Sequence, residues 1–104
     1  MDMEKEIRRA VDTGKVLFGF RECEKNVLKG IGKLLIVSDN LESEKKEKLK
    51  YCAELSEIPC FDFEKSSLAL GALCGKPHAV SAMLILDPGK SKILEITKKS
   101  SEKK

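Results

Sequence analysis

The chain has 104 residues, 41% hydrophobic and 36% charged, long enough for a single domain to bury roughly two-thirds of the surface its unfolded form would expose. No apolar run approaches the ~20 residues of a membrane span, and residues 1–9 lack the apolar stretch of a signal peptide, so a cytoplasmic protein is expected. The net charge of +3 is uneven: residues 14–33 carry five basic and two acidic side chains, residues 34–66 five and eight, and residues 67–104 seven and three. Faces of opposite sign allow one of them to meet a polyanion.

In residues 3–13, Ile7, Ala10 and Val11 recur at i, i+3 and i+4, which predicts a first helix with Gly14 as its left-handed cap. A short apolar run, Val16-Leu17-Phe18, leads into FGFRECEKNVLKG (residues 18–30). Phe20, Cys23, Val27, Leu28 and Ile31 would share one face of a second helix that ends near Gly30 or Gly32. Leu34-Leu35-Ile36-Val37 does not alternate, which suits a strand covered on both faces, and Ser38-Asp39-Asn40 follows it. Residues 43–56 turn helical again, with Leu49, Cys52, Ala53 and Leu55 inward, and Pro59 blocks continuation. A second strand covers residues 60–63, and Ser66 or Ser67 caps a short helix over 68–74 that Gly75 and Pro77 stop. Residues 83–86 and 93–96 are predicted as two further strands around the turn Asp87-Pro88-Gly89-Lys90.

This order predicts an α/β protein, a three-layer α/β/α sandwich with a four-stranded mixed sheet. One domain is expected over residues 1–97. Residues 98–104, KKSSEKK, have nothing to bury and read as a flexible basic tail.

The chemistry-bearing motifs of enzymes are incomplete here. Gly71-Ala72-Leu73-Cys74-Gly75-Lys76 is one residue short of a phosphate loop, and Pro77 stands where a magnesium-holding Ser or Thr would be. His78 is the one histidine, and no Ser or Cys elbow partners it. Cys23, Cys52, Cys60 and Cys74 form no C-x-x-C pair. No catalytic set, metal site or cofactor is expected. A protein-interaction or thiol-dependent enzyme domain, resting on Cys23, is the alternative of another class.

On the second helix Arg21, Lys25 and Lys29 fall four apart with Glu22 beside them. That stripe is either an ordinary solvated face or a helix start, positive by dipole and by side chain, offered to phosphates or base edges. Asn40 and the loop Lys76-Pro77-His78-Ala79-Val80 would gather near it at the strand ends of an open sheet. Basic groups, an amide and an apolar or ring-bearing loop suit single-stranded or distorted RNA, whose unstacked bases expose their edges.

Asp12-Thr13-Gly14-Lys15, Gly19, residues 33–37, residues 51–59, the string from Leu70 to Ala82 containing GKPHAVSAM, and Asp87-Pro88-Gly89 together carry a resemblance. With these motifs the chain resembles the archaeal and eukaryotic large-subunit ribosomal protein L-thirty-e family over nearly its whole length, the basic tail excepted. The resemblance implies an α/β/α sandwich, monomeric when free, that binds a kink-turn of large-subunit ribosomal RNA and sits beside other ribosomal proteins, with no membrane partner. A kink-turn protein of a non-ribosomal small ribonucleoprotein is the runner-up. Carried onto this chain, the RNA-binding positions are Gly19 with Arg21, then Asn40, then the loop running through Lys76 and Pro77 to His78, Ala79, Val80 and Ser81. Gly19, Glu22 and Lys25 also match the Gly-x-Asn-Glu-x-x-Lys pattern of the wider kink-turn superfamily, with Arg21 in the Asn place. Glu24 departs from expectation, since an acid near phosphates should weaken binding unless it turns away or pairs with Arg21 or Lys25.

Overall fold

The computed structural model describes residues 3–94. Its elements run α1 (Met3–Thr13), β1 (Lys15–Phe18), α2 (Phe20–Leu28), β2 (Leu34–Ser38), α3 (Ser43–Leu55), β3 (Cys60–Phe63), α4 (Ser67–Leu73) and β4 (Ala82–Asp87). The four strands form one sheet in the order β1-β4-β2-β3, with β4 antiparallel to both β1 and β2 and β2 parallel to β3. The sheet is therefore mixed, and β2 and β4 are its interior strands.

Two cores flank the sheet. Alternate residues of the interior strands, Leu34, Ile36, Met83 and Ile85, pack with Ile7 and Ala10 of α1 and Leu70 of α4. The residues between them, Leu35, Val37, Ala82 and Leu84, pack with Cys23 and Val27 of α2 and Leu49, Cys52 and Ala53 of α3. Because strand side chains alternate between faces, an interior strand with helices on both sides must be apolar at every position. Residues 34–37 meet that demand and are fully buried. The result is three layers, α1 and α4, the sheet, and α2 and α3.

Ser66 caps α4 by accepting the Ala69 N–H at 3.2 Å, and Gly75 follows the helix at φ 74°.

The fourth strand lies at the start of the chain rather than at the end. Residues 15–18 pair with β4, Val16 beside Ile85 and Phe18 beside Met83. The predicted strand 93–96 does not form over its described half, since Ile93 and Leu94 are helical. The remainder of that segment and the basic tail lie outside the described residues. The reason is where the backbone donors go. Beyond the Pro88-Gly89 turn, Lys90 N–H donates to Thr13 Oγ1 at 2.9 Å and Lys92 N–H to Glu6 Oε1 at 2.7 Å, while the Ser91 hydroxyl donates to the Glu6 carbonyl at 2.7 Å. N–H groups engaged by α1 are lost to a sheet ladder, so the chain leaves the sheet along that helix and buries Ile93 in the α1 and α4 core.

Three local expectations also change. Leu28 and Ile31 are exposed, because α2 ends at Leu28 and Gly30, at φ 73°, turns the chain before Ile31 can share the helix face. Leu55 is 64% exposed on the last turn of α3. Gly14 is not left-handed; a Cβ there would overlap the Asp87 carbonyl oxygen, so glycine serves close approach between the end of α1 and the end of β4.

Candidate nucleic-acid interface

Strand directions determine which loops meet. β1 and β2 both run against β4, so the last residues of the first two face the first residues of the third: Phe18 pairs with Met83 and Val37 with Ala82. The segment after β1, the segment after β2 and the segment before β4 thus share one end of the sheet. Backbone hydrogen bonds sew them together, Gly19 N–H to Ala82 O at 2.9 Å and Ser38 N–H to Ser81 O at 2.9 Å. All three predicted segments are brought together.

Gly19 occupies the N-cap of α2 at φ 99°, ψ 150°, a conformation closed to L side chains, and no side chain caps the helix. Nothing lies within 4 Å of where a Cβ would stand, so bare backbone faces open space. The first N–H groups of α2 and the positive end of its dipole are offered there. Arg21, Glu22 and Lys25 are exposed on the first turns, and neither Arg21 nor Lys25 forms an ion pair among the described residues. Lys29, two turns beyond Arg21, is roughly 12 Å further along the axis and away from the loops.

Glu24 turns toward α3. Lys48 Nζ lies 3.0 Å from its Oε2, and the carboxylate side chain is only 21% exposed. The oxygen is shielded from solvent and receives no hydrogen bond of good geometry, so the contact is an ion pair alone. The acid is compensated across the α2 and α3 seam rather than by Arg21 or Lys25, and its charge is removed from the loop end of the helix.

Asn40 is exposed just past β2. Its Oδ1 accepts the Ser67 backbone N–H at 2.8 Å and the Ser38 hydroxyl at 3.2 Å.

In the third segment Lys76, Pro77, His78 and Ala79 are exposed. Lys76 Nζ stands 4.6 Å from the centroid of the Phe18 ring, a cation–π contact that ties this loop to the strand leading into Gly19. His78 Nδ1 is 3.0 Å from the Ala79 carbonyl, which can only accept, so that nitrogen carries the proton. Val80 is 2% exposed and lies in the α1 and α4 core, with its N–H donated to Ser67 O at 2.9 Å. It anchors the loop from below, and the surface comes from residues 76–79. Ser81 is partly buried, its carbonyl engaged by Ser38. Beneath the loop, a Cβ on Gly71 of α4 would overlap the His78 carbonyl oxygen.

Phe18, Ser38, Ser67 and Gly71 support this edge without having been singled out from sequence as parts of it. Phe18 and Ser38 carried only the signals of a short apolar run and its polar end, and Gly71 those of a failed phosphate loop. Cys23 and Cys74 adjoin this edge but are buried beneath it: burial, with the Glu22 charge adding, pushes the Cys23 thiol up to about 12. Burial likewise pushes Cys74 up to about 11, against the opposing charges of Arg8 and Lys76. Such thiols are poor nucleophiles. Among the described residues no three His, Cys, Asp or Glu side chains gather as a metal site.

A family model described as "Ribosomal protein L7Ae/L30e/S12e/Gadd45 family" matches residues 1–95, which include all three segments. The chain belongs to this family. Among its relatives is the "Large ribosomal subunit protein eL30" of Methanocaldococcus jannaschii, 48% identical over 99 residues that span 95% of this chain and 90% of the relative. Proteins with the same name from Methanococcus maripaludis and Methanothermobacter thermautotrophicus are 47% and 46% identical. Each aligns over 96 residues, 92% of this chain and 91% and 98% of the respective relatives. Membership in the L7Ae/L30e/S12e/Gadd45 family places the chain among ribosomal proteins rather than enzymes.

Proposed function

We propose that this protein is a structural constituent of the large ribosomal subunit, in the cytoplasm, and that it grips a kink-turn of ribosomal RNA with the loop edge described above. One observation carries the reading: segments at residues 19–25, 40 and 76–81 meet at one end of the sheet, in a chain that matches a ribosomal protein family almost from end to end.

The mechanism is positioning. Arg21 and Lys25 contact phosphates or guanine edges, Gly19 lets the RNA approach bare backbone, and Asn40 reads a base edge or phosphate. Glu22 borders the basic pair on the same turns, and Lys76, Pro77, His78 and Ala79 pack against an extruded nucleotide, with Val80 and Ser81 holding the loop. A bent internal loop suits this surface because its unstacked bases and crowded phosphates present edges and charge together. In the subunit the protein sits beside other ribosomal proteins; free, it is a monomer. No helix among the described residues is long and apolar enough to cross a membrane.

An electrophoretic shift comparing a kink-turn RNA with an unbent duplex tests the reading. The parent protein binds the kink-turn in preference, and Arg21→Ala weakens that complex by about 1–3 kcal/mol if the guanidinium makes a bidentate base contact. Equal binding to both RNAs overturns the proposal. Co-sedimentation of the native protein with large subunits, rather than with small guide RNAs, separates a ribosomal constituent from a non-ribosomal ribonucleoprotein.

A further inference from the structure

Both hydrogen bonds to the Asn40 side chain end on one atom. Ser67 N–H donates to Oδ1 at 2.8 Å from the start of α4, and the Ser38 hydroxyl donates to it at 3.2 Å from the end of β2. A backbone N–H only donates, so the atom that faces it must be the amide oxygen; chemistry assigns the orientation. Ser38 is fully buried in the interior strand, and its own N–H is tied to Ser81 O at 2.9 Å, so its hydroxyl is carried on a rigid element. Asn40 itself is exposed. With Oδ1 engaged, the two hydrogens of Nδ2 are the polar groups left to a ligand, and no acceptor among the described residues takes them.

We propose that Ser38 and the Ser67 amide are positioning groups that present Asn40 to RNA as a hydrogen-bond donor only. This rests on the RNA reading of the edge and narrows it. An asparagine free to rotate can donate or accept. Held this way, Asn40 selects acceptors, guanine O6 or N7 or a phosphate oxygen, and refuses base amino groups. Fixing the amide before binding also removes the entropy loss of ordering it in the complex.

The test begins with Asn40→Asp. The carboxylate keeps an oxygen for the Ser67 N–H and the Ser38 hydroxyl, so thermal unfolding stays at the parent value. The outward donors become a charged acceptor, and affinity for kink-turn RNA falls by about tenfold or more. Ser38→Ala weakens binding several-fold in the parent and adds nothing in an Asn40→Ala background, a coupling that a general structural role would not produce. Three altered RNAs identify the acceptor: 2-aminopurine in place of guanine lacks O6, 7-deazaguanine lacks N7, and a methylphosphonate lacks the charged phosphate oxygen. The one that abolishes the Asn40→Ala penalty names the partner atom. The proposal is overturned if Asn40→Asp binds like the parent, if Ser38→Ala acts equally with and without Asn40, or if none of the three RNAs abolishes the penalty. Failure of the parent itself to prefer the kink-turn over the duplex is a different result and removes the RNA reading beneath it.

Discussion

Gly19 and Gly30 bracket α2, and both sit at positive φ, 99° and 73°, with nothing within 4 Å of a Cβ. Substituting alanine at either position therefore perturbs backbone conformation without steric conflict. Gly19, with ψ 150°, lies near the region that only glycine enters readily, which costs another residue about 1–3 kcal/mol. The left-handed conformation of Gly30 costs an alanine about 1–2 kcal/mol. For a domain of this size each kcal/mol lowers Tm by about 4–8 °C, so Gly19→Ala should melt about 4–24 °C below the parent. The two variants separate on RNA. Gly19 N–H is bonded to Ala82 O at 2.9 Å, and its carbonyl accepts Cys23 N–H at 3.1 Å. Any relaxation of its φ must therefore tilt the start of α2, which carries Arg21 on its first turn and, a turn further on, Lys25. Gly30 is at the other end of the helix. Circular dichroism melts and electrophoretic shifts on kink-turn RNA, run well below both melting points, should show Gly19→Ala destabilised and weakly binding, and Gly30→Ala destabilised with parental affinity. Parental melting and affinity for Gly19→Ala, or an equal affinity loss for Gly30→Ala, would refute the reasoning.

Gly71→Ala should push the 76–79 loop off α4, because its Cβ overlaps the His78 carbonyl oxygen. Overpacking of this kind costs about 1–3 kcal/mol, and the chemical-denaturation midpoint and the RNA shift should fall together. Cys23, with its thiol pushed from 9.0 up to about 12, presents about a thousandfold less thiolate at pH 8 than an ordinary cysteine. Iodoacetamide followed by mass spectrometry should modify the half-buried Cys60 ahead of Cys23, with RNA binding retained; rapid labelling of Cys23 in the folded protein would contradict the burial argument. Glu6 is held below its ordinary 4.5 by the Lys92 N–H, with the Ser91 hydroxyl and the charges of Arg9 and Lys92 adding, against the opposing effect of burial. A carboxylate lowered on folding stabilises the protein above its unfolded pKa and ceases to do so as pH falls through the folded value. Melting should therefore drop as pH falls below 4.5, and Glu6→Gln should flatten that part of the profile.

How far the residues could be read depended on the range of the interaction that decides each feature. The interior strand at residues 34–37 was legible because an unbroken apolar run has few other places to go. Helix α3 and the Ser66 cap were legible because helix starts and periods are set within a few residues. Leu28 and Leu55 were placed inward and lie out, since a helical period gives an apolar stripe but not which neighbour covers its margins. Gly14 reads locally as a helix cap, yet its constraint comes from Asp87, far along the chain. Val16-Leu17-Phe18 read only as a short apolar run, and Ile93 and Leu94 as part of a strand. Their roles were decided by distant partners: β4 pairs with residues 15–18, and Glu6 and Thr13 draw the backbone N–H groups after Gly89 onto α1.

By itself the sequence determined an α/β protein, the extents of its longer elements, and three segments with the side chains RNA recognition needs, because periodicity, capping and residue chemistry are local properties. FGFRECEKNVLKG shows the limit of that information. Its spacing gave Arg21 and Lys25 a common stripe but left open whether that stripe was ordinary solvated surface. Strand direction alone brought Gly19, Asn40 and the His78 loop to one end of the sheet. Tertiary pairing also carried Glu24 across to Lys48 and turned the Asn40 amide so that its donors face outward. Those outcomes depend on bonds between residues tens of positions apart, whose geometry exists only once the layers have packed.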